Sequence, residues 1–277
     1  MTSLAVLSGA DTHGPSSLYL LSDSRVSWTG TKNAWDFGRK TFYSRKTADI
    51  FGYCGDVLFP AVILPQVIAV VDAGLSLKPT ASFGERFGLL VRHVREAFQT
   101  YPQRAQPVTI VHGGRDGVGM SSTFRVGVLQ WSSSTRSWLK PIVKSPPRES
   151  GITLTYGSGA ASIRRAIEDW KGTADATTRH AFAAFIESLV SARDKHSGGP
   201  PQLVGLYRIG VGRQFGILFR KGAYVGGLPV GKQNVESIDV EWRNEAFERV
   251  EVTSRRRVSG AQRHRDVAAR QKRKTTR

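Results

Sequence analysis

The sequence predicts an α+β protein in which blocks of strands are separated by pairs of helices. Short apolar runs bounded by glycine or proline recur along the chain, and two pairs of longer runs with helical periodicity separate them. Because strands and helices are grouped and do not alternate one by one, a parallel βαβ sheet is disfavoured. With 277 residues, the chain can also bury a sizeable core.

Each predicted element follows from its local pattern. In chain order they are strands over 4–7, 18–21 and 48–54, helices over 59–73 and 83–101, strands over 108–111, 123–131 and 138–143, helices over 162–170 and 177–192, and strands over 203–209, 215–219 and 223–225. The first two strands flank a polar segment over 9–17, which predicts a hairpin with a long loop. Phe87 and Leu90 recur at helical spacing, and Gly74 and Pro79 separate the first two helices.

Composition excludes several classes of protein. The single cysteine, Cys54, rules out a disulfide framework and a cysteine-based zinc site, and it favours a reducing compartment. The N-terminus does not resemble a secretory signal, and the longest apolar stretch, 58–73, is too interrupted to span a membrane. The histidines lack metal-ligand spacing and no complete phosphate-binding glycine motif occurs. We therefore expect a cytoplasmic protein with no membrane association, no metal and no cofactor.

Positive charge is concentrated at the C-terminus. Residues 254–277 contain ten Lys/Arg and one acid, 10 − 1 = +9, and the other 253 residues carry 30 − 21 = +9. Because this segment has few large apolar side chains, we expect a folded domain over 1–253 and a disordered basic tail over 254–277. The tail either acts as a solvated extension or contacts nucleic acid or an acidic partner. It has no aromatic residue for base stacking, which weakens sequence-specific binding.

The N-terminus offers a nucleophile. Thr2 follows Met1, and a small second residue normally permits removal of the initiator methionine. The terminal threonine would then carry a hydroxyl and a free amine, whose ordinary pKa of about 7.7–8.0 suits a base near neutral pH. Many proteins begin in this way, so this feature alone does not predict an enzyme.

Further clusters of polar residues and glycine accompany this threonine. They are Ser22-Asp23-Ser24-Arg25, Gly38-Arg39-Lys40, Gly52-Tyr53-Cys54-Gly55-Asp56, Gly157-Ser158-Gly159 and Arg193-Asp194-Lys195-His196-Ser197-Gly198-Gly199. Each one alone is typical of an ordinary turn or helix cap. In this order after an N-terminal threonine, they resemble the proteasome β-subunit family, including its bacterial HslV-type peptidases. The resemblance runs from Thr2 to about Val225, and its most specific parts are the SDSR segment, the lysine that follows and the RDxxSGG run.

The resemblance implies a four-layer αββα sandwich, with two antiparallel sheets between helix pairs, as in N-terminal-nucleophile hydrolases. It makes Thr2 the nucleophile and its amine the base, with Lys40 favouring the alkoxide and Asp23 orienting the lysine. Gly55 would donate a backbone N–H to the oxyanion. The residues implied to support the threonine amine are Ser158, Asp194 and Ser197. The lysines that could replace Lys40 if the alignment shifts are Lys32 and Lys46.

The resemblance also implies substrate contacts. Tyr53 falls at the base of the main specificity pocket, where its ring would make the pocket shallow. The enlarged segment 26–37 should border the substrate cleft, and its Trp28 and Trp35 either line a pocket or pack in a subunit interface. Gly198 lies in the turn beside the threonine amine.

Two functions follow from these residues. The first is a threonine-dependent peptidase or amidohydrolase that acts on peptides or proteins. By analogy with the family it would form a self-compartmentalising homo-oligomeric ring that could receive an ATPase or other gate partner. The alternative is a non-catalytic proteasome-like assembly or binding module, whose basic tail contacts nucleic acid or an acidic partner. The joint presence of Thr2, Asp23 and Lys40 favours the enzyme, since an inactive scaffold needs no buried lysine beside a threonine.

Overall fold

A computed structural model describes residues 2–28, 33–78, 80–170, 177–191, 194–231 and 240–261. Its α-helices are α1 (Leu58–Asp72), α2 (Phe83–Gln99), α3 (Ala160–Trp170) and α4 (Thr178–Val190). The strands of the first half are β1 (Leu4–Asp11), β2 (Gly14–Ser22), β3 (Val26–Ser27), β4 (Ala34–Trp35), β5 (Thr41–Tyr43), β6 (Asp49–Gly55) and β7 (Val108–Asp116). Those of the second half are β8 (Thr123–Ser132), β9 (Ser137–Trp138), β10 (Ile142–Lys144), β11 (Gly151–Tyr156), β12 (Gln202–Tyr207), β13 (Arg213–Phe219), β14 (Gly222–Val225), β15 (Leu228–Pro229) and β16 (Glu241–Arg243).

Two large sheets form the centre of the described structure. The first has the strand order β11-β1-β2-β12-β13-β14-β15, and β16 also pairs with β13. The second has the order β10-β8-β7-β6-β5, with β9 paired to β8. Neighbouring strands along both orders are antiparallel, and β16 runs parallel to β13. The strands β3 and β4 make a separate small hairpin.

Three apolar clusters separate four layers. Leu4, Leu20 and Val111 belong to the cluster between the two sheets. The cluster around Phe87 and Phe98 packs α1 and α2 on the outer face of the second sheet. The third cluster packs α3 and α4 on the outer face of the first sheet. The layers therefore follow the predicted αββα order.

Local chemistry accounts for the helix boundaries. Helix α2 begins at a capping box, in which the hydroxyl of Ser82 accepts from the backbone N–H of Glu85 and the Glu85 carboxylate accepts from the backbone N–H of Ser82. Helix α4 begins with Thr177, whose hydroxyl accepts from the backbone N–H of His180. Within the described residues, no helix combines the length and apolarity needed to cross a bilayer.

Several elements differ from the prediction. β1 and β2 continue through most of the predicted 9–17 loop and are joined at residues 12–13. The loop was predicted too long because strand residues such as Ser17 are polar, although they are buried. β5 and β11 lie where no strand was predicted, and the predicted 138–143 strand is divided between β9 and β10.

The start of the predicted tail is folded. Arg257 forms an antiparallel bridge with Val250, and the Arg255 guanidinium donates to the carbonyl oxygens of Arg220 and Lys221. The predicted domain boundary at residue 254 therefore falls between two bridged residues, Val250 and Arg257. The rest of the predicted tail, 262–277, lies outside the described residues.

Candidate active site

Asp23 and Lys40 form a fully buried ion pair. The Lys40 Nζ donates to Asp23 Oδ1 at 2.9 Å and to the carbonyl oxygen of Arg25 at 2.5 Å. Neither side chain of the pair has exposed surface. The alternative Lys46 is exposed, and Lys32 lies outside the described residues. Of the two candidate lysines that the structure describes, Lys40 is thus the one that lies beside the predicted carboxylate.

Asp23 also fixes the backbone around the start of the chain. Its Oδ1 accepts from the backbone N–H of Ser3 at 2.9 Å, and its Oδ2 accepts from that of Gly198 at 3.0 Å. Because Ser3 directly follows Thr2, one carboxylate connects the candidate nucleophile, the lysine and the loop that contains Gly198. These charge-assisted bonds are stronger than neutral ones and hold the three segments together.

Burial and ion pairing act on Lys40 in opposite directions. Removal from water lowers the pKa of the ammonium, and the charge and hydrogen bond of Asp23 raise it, with burial the larger effect. A lysine whose pKa is lowered exchanges a proton more readily near neutral pH than an exposed one. The nearby Cys54 is fully buried, which raises the pKa of its thiol to about 12 and keeps it neutral.

Thr2 is buried, and its side-chain hydroxyl makes no hydrogen bond with any residue that the structure describes. Its carbonyl oxygen accepts from the backbone N–H of Gly159 at 3.3 Å. A buried hydroxyl without a partner costs roughly 1–3 kcal/mol. Such groups are rare in folded proteins and call for an explanation. The nitrogen of Thr2 becomes a free amine once Met1 is removed.

The Gly157-Ser158-Gly159 turn packs directly on Thr2 and Ser3. A Cβ on Gly157, whose φ is +84°, would lie 1.9 Å from the Thr2 carbonyl oxygen. A Cβ on Gly159 would lie 1.8 Å from Ser3 Oγ. Both contacts are far shorter than any real carbon contact. Gly157 is required because it meets backbone at a positive φ, whereas a side chain at position 159 would have to displace the hydroxyls of Ser3 and Ser197.

A chain of hydroxyl groups connects this turn to Asp194. Ser158 Oγ and Ser197 Oγ each donate to Asp194 Oδ2 at 2.7 Å, and Ser3 Oγ donates to Ser197 Oγ at 2.8 Å. Burial alone would raise the pKa of Asp194, but these hydroxyl donors, with the backbone N–H of His196, hold it below its ordinary value. The predicted residues Ser158, Asp194 and Ser197 are therefore brought together.

Sequence reasoning missed two residues of this site. Ser3 joins the hydroxyl chain, and only its position after Thr2 could have drawn attention to it. Gln202 is buried, accepts from the backbone N–H of Lys40 at 2.9 Å and donates to the carbonyl oxygen of Gly38 at 2.6 Å. It thereby fixes the segment that carries Lys40, and no local motif marks it.

Gly55 ends β6 in a conformation that favours glycine. Its φ is +99°, and an added Cβ would lie 1.9 Å from the carbonyl oxygen of Pro107. The backbone alone thus explains the glycine, and the role of Gly55 as an oxyanion donor stays a prediction.

The predicted substrate residues lie in three different environments. Tyr53 is fully buried in the cluster under α1 and α2, where its hydroxyl donates to the carbonyl oxygen of Arg39 at 3.0 Å. Trp28 is 52% exposed beside the β3–β4 hairpin. Gly198 lies against the Arg25 side chain, since a Cβ there would be 2.6 Å from the guanidinium carbon. Their contacts with substrate stay predictions.

No group of three or more His, Cys, Asp or Glu side chains suited to hold a metal ion occurs in the part of the chain that the structure describes.

Comparisons with known proteins identify the fold. The sequence matches no protein-family model and no curated protein sequence. The structure is similar to that of an Anbu (Gly-1) mutant from Hyphomicrobium sp. strain MC1, with a TM-score of 0.52 and 12% identity over 77% of this chain and 87% of that one. It is also similar to Anbu, described as an ancestral beta-subunit, from Yersinia bercovieri, with a TM-score of 0.51 and 14% identity over 75% and 82%. At these identities the similarity establishes the fold alone. It confirms the predicted α+β fold, with two antiparallel sheets and four helices, as the fold that this chain shares with the Anbu structures.

Proposed function

We propose that this protein is a threonine-dependent peptidase or amidohydrolase whose nucleophile is Thr2, exposed as the first residue when Met1 is removed. The observation that carries the proposal is the fully buried Asp23–Lys40 pair, hydrogen-bonded through Asp23 to the backbone of Ser3, the residue after Thr2. A buried ion pair often contributes little net stability, because the cost of desolvation offsets the attraction. A chemical role for the lysine accounts for its burial at this point.

In the proposed reaction the Thr2 amine takes the proton of its own hydroxyl as the oxygen attacks the substrate carbonyl. The Lys40 ammonium stabilises the negative charge that develops on the attacking oxygen. Gly55 donates its backbone N–H to the oxyanion, a contribution typically worth about 2.7–4 kcal/mol. The tetrahedral intermediate then expels the amine of the substrate, which takes the proton held by the Thr2 ammonium, and an ester remains on Thr2. Water, deprotonated by the same amine, hydrolyses this ester and restores the hydroxyl.

The hydroxyl chain has a separate role in the proposal. Ser158 and Ser197 share the Asp194 carboxylate, and Ser197 also accepts from Ser3. With the two glycines that flank Ser158, this network limits the positions available to the backbone of Thr2 and Ser3. It thereby orients the free amine for proton transfer, which requires hydrogen-bond distance to the hydroxyl.

Labelling with a peptide epoxyketone, which reacts with the hydroxyl and the amine of a terminal threonine, tests this function. We expect stoichiometric labelling of the native chain and none of Thr2→Ala. Thr80→Ala, the same change at an exposed threonine outside the site, is the matched control, and it should still be labelled because it leaves the terminal residue and its surroundings unchanged. Equal labelling of the native chain and Thr2→Ala, or retention of Met1 on the purified protein, would contradict the mechanism and favour a non-catalytic module.

We further propose that the protein assembles into a homo-oligomer around peptide or protein substrates. Large apolar side chains face outward on two elements: Leu58 and Val62 on α1, and Trp35 on β4 with Phe37 beside it. Helix α1 contains no charged residue before Asp72, which is unusual for a helix face in water. A ring of copies would cover such surfaces and could leave an entrance for a gate partner.

A further inference from the structure

An open cleft of about 350 Å³ lies on the helix-covered side of the second sheet, where α2 ends beside β9. Its walls are Phe98, Trp131 and Trp138, together with the side chains of Arg95 and Arg104. The two indole rings are 5.6 Å apart, and the Trp138 ring is 5.0 Å from that of Phe98. None of these residues takes part in the candidate active site.

The two arginines give the cleft a positive charge. Arg104 lies over the Phe98 ring, with its guanidinium carbon 5.9 Å from the ring centre. Arg95 donates to the carbonyl oxygen of Leu139 at 3.4 Å, a long contact, and its buried Nε has no hydrogen-bond partner among the described residues. A buried guanidinium N–H without an acceptor is costly, and an anion in the cleft could satisfy it.

The surface around the cleft continues this charge. Residues 117–148 contain five Lys/Arg and no Asp or Glu. Of these basic residues, Arg136 and Lys140 flank Trp138 in sequence and are exposed, and Arg136 lines a neighbouring cavity that it shares with Arg104. We call the cleft together with Arg136 and Lys140 the basic edge surface. It combines a row of cations with an aromatic ring, which the C-terminal tail lacks.

We propose that the basic edge surface binds single-stranded nucleic acid. The cations would neutralise successive phosphates, and a base would stack on the ring of Trp138, which is only partly buried. An acidic peptide would satisfy the cations, but its Asp and Glu side chains have no aromatic ring to stack on the indole face. The combination of rings and arginines therefore favours nucleic acid.

Fluorescence anisotropy with a labelled oligothymidylate of about 20 nucleotides, long enough for one binding site, tests the proposal on the full chain. The test variant is Arg136→Glu/Lys140→Glu. The matched control is Lys78→Glu/Arg165→Glu, which changes the net charge equally at exposed positions elsewhere and keeps the tail. We expect the test variant to bind at least about tenfold more weakly. The slope of log affinity against log salt should fall by about 1.4, since each of the two lost phosphate contacts contributes about 0.7.

The control should bind within about threefold of the native chain. Equal losses in both variants, or no binding by the native chain, would overturn the proposal, because the affinity would then reflect overall charge or be absent.

A second pair of variants tests the stacking. Trp138→Phe keeps a ring and should bind like the native chain, whereas Trp138→Leu should lose about tenfold, with circular dichroism verifying that both are folded. Equal affinity of the two variants would exclude base stacking at this position. Competition by polyglutamate as effective as that of the oligonucleotide would show that the surface takes an acidic polypeptide and would overturn the assignment.

Discussion

Lys40 has to be explained at the scale of single residues, because its ammonium is entirely removed from water. Its partner, Asp23, compensates this cost only in part, since the pKa of Lys40 remains lowered. Asp23 itself is well satisfied, with three backbone N–H donors in addition to the lysine. The carboxylate would therefore tolerate loss of the lysine better than an isolated buried charge would.

Replacement of Lys40 by methionine should destabilise the fold and abolish labelling of Thr2. Breaking a buried pair typically costs about 3–5 kcal/mol, and we expect about 3 kcal/mol here because the backbone donors to Asp23 remain. Urea denaturation measures this difference in the free energy of unfolding. Lys46→Met, at an exposed lysine, is the control and should change it by less than about 0.5 kcal/mol. Similar values for the two variants would mean that the pair is not a buried, coupled unit.

Asp194 makes the hydroxyl chain sensitive to acid. Its pKa is below the ordinary value of 3.8 in the folded protein, so the folded state binds this proton less readily than the unfolded state. The stabilisation is therefore complete above the unfolded pKa and is lost as the pH falls through the folded one. We expect the stability difference between the native chain and Asp194→Asn to shrink between about pH 5 and pH 2. Thermal unfolding across this range checks it, and a difference that grows on acidification would refute the assignment.

At the scale of elements, the turn before α3 is the most constrained part of the site. Gly157 contacts the backbone of Thr2 at a distance and a φ that only glycine permits, and a side chain at Gly159 would displace the hydroxyl of Ser3. The sequence shows this glycine pair plainly, but the contact joins residues more than 150 positions apart. Local spacing carries no trace of such a contact, and Ser3 and Gln202 were missed for the same reason.

Gly157→Ala should remove labelling of Thr2 and destabilise the protein by more than about 2 kcal/mol, since the new methyl would overlap the Thr2 carbonyl and the positive φ adds strain. Gly151→Ala is the matched control in the neighbouring strand β11, where an added Cβ meets nothing within 4 Å. Denaturation and labelling of both variants check this prediction. If Gly157→Ala behaves like Gly151→Ala, the turn does not position the nucleophile.

Other elements show what sequence patterns can and cannot predict. The helices α1 and α2 were predicted within one or two residues, because Gly74 and Pro79 separate them and α2 also has apolar residues at helical spacing. The β1–β2 loop was predicted too long because Ser17 is polar, although it is buried in β2. β11 was missed although its residues 152–156 (ITLTY) alternate apolar and polar side chains, so the sequence contained the pattern that identifies a strand and the two prolines before it drew the interpretation toward a loop.

At the scale of the whole molecule, the four layers leave apolar side chains outside. Leu58, Val62 and Trp35 are each at least half exposed. The layer order itself was predictable from the resemblance that the polar clusters carry. Sequence alone cannot distinguish an apolar surface that another copy covers from the core of the protein, because the residues of both are apolar.

Val62→Glu should disrupt the proposed homo-oligomer, because it places a charge in the centre of the exposed face of α1. Native mass spectrometry or analytical ultracentrifugation measures the mass of the assembly. Gln66→Glu, one turn further along the same helix at a position that is already polar and exposed, is a milder control. A monomeric native chain, or an unchanged assembly in Val62→Glu, would contradict an interface at α1.

The most direct measurement is tandem mass spectrometry of the N-terminal peptide after reaction with the epoxyketone. We predict a peptide that lacks Met1 and carries the added mass on its first residue, Thr2. An adduct on Ser3, or an unmodified peptide that still begins with Met1, would show that the buried lysine and carboxylate do not serve a terminal threonine.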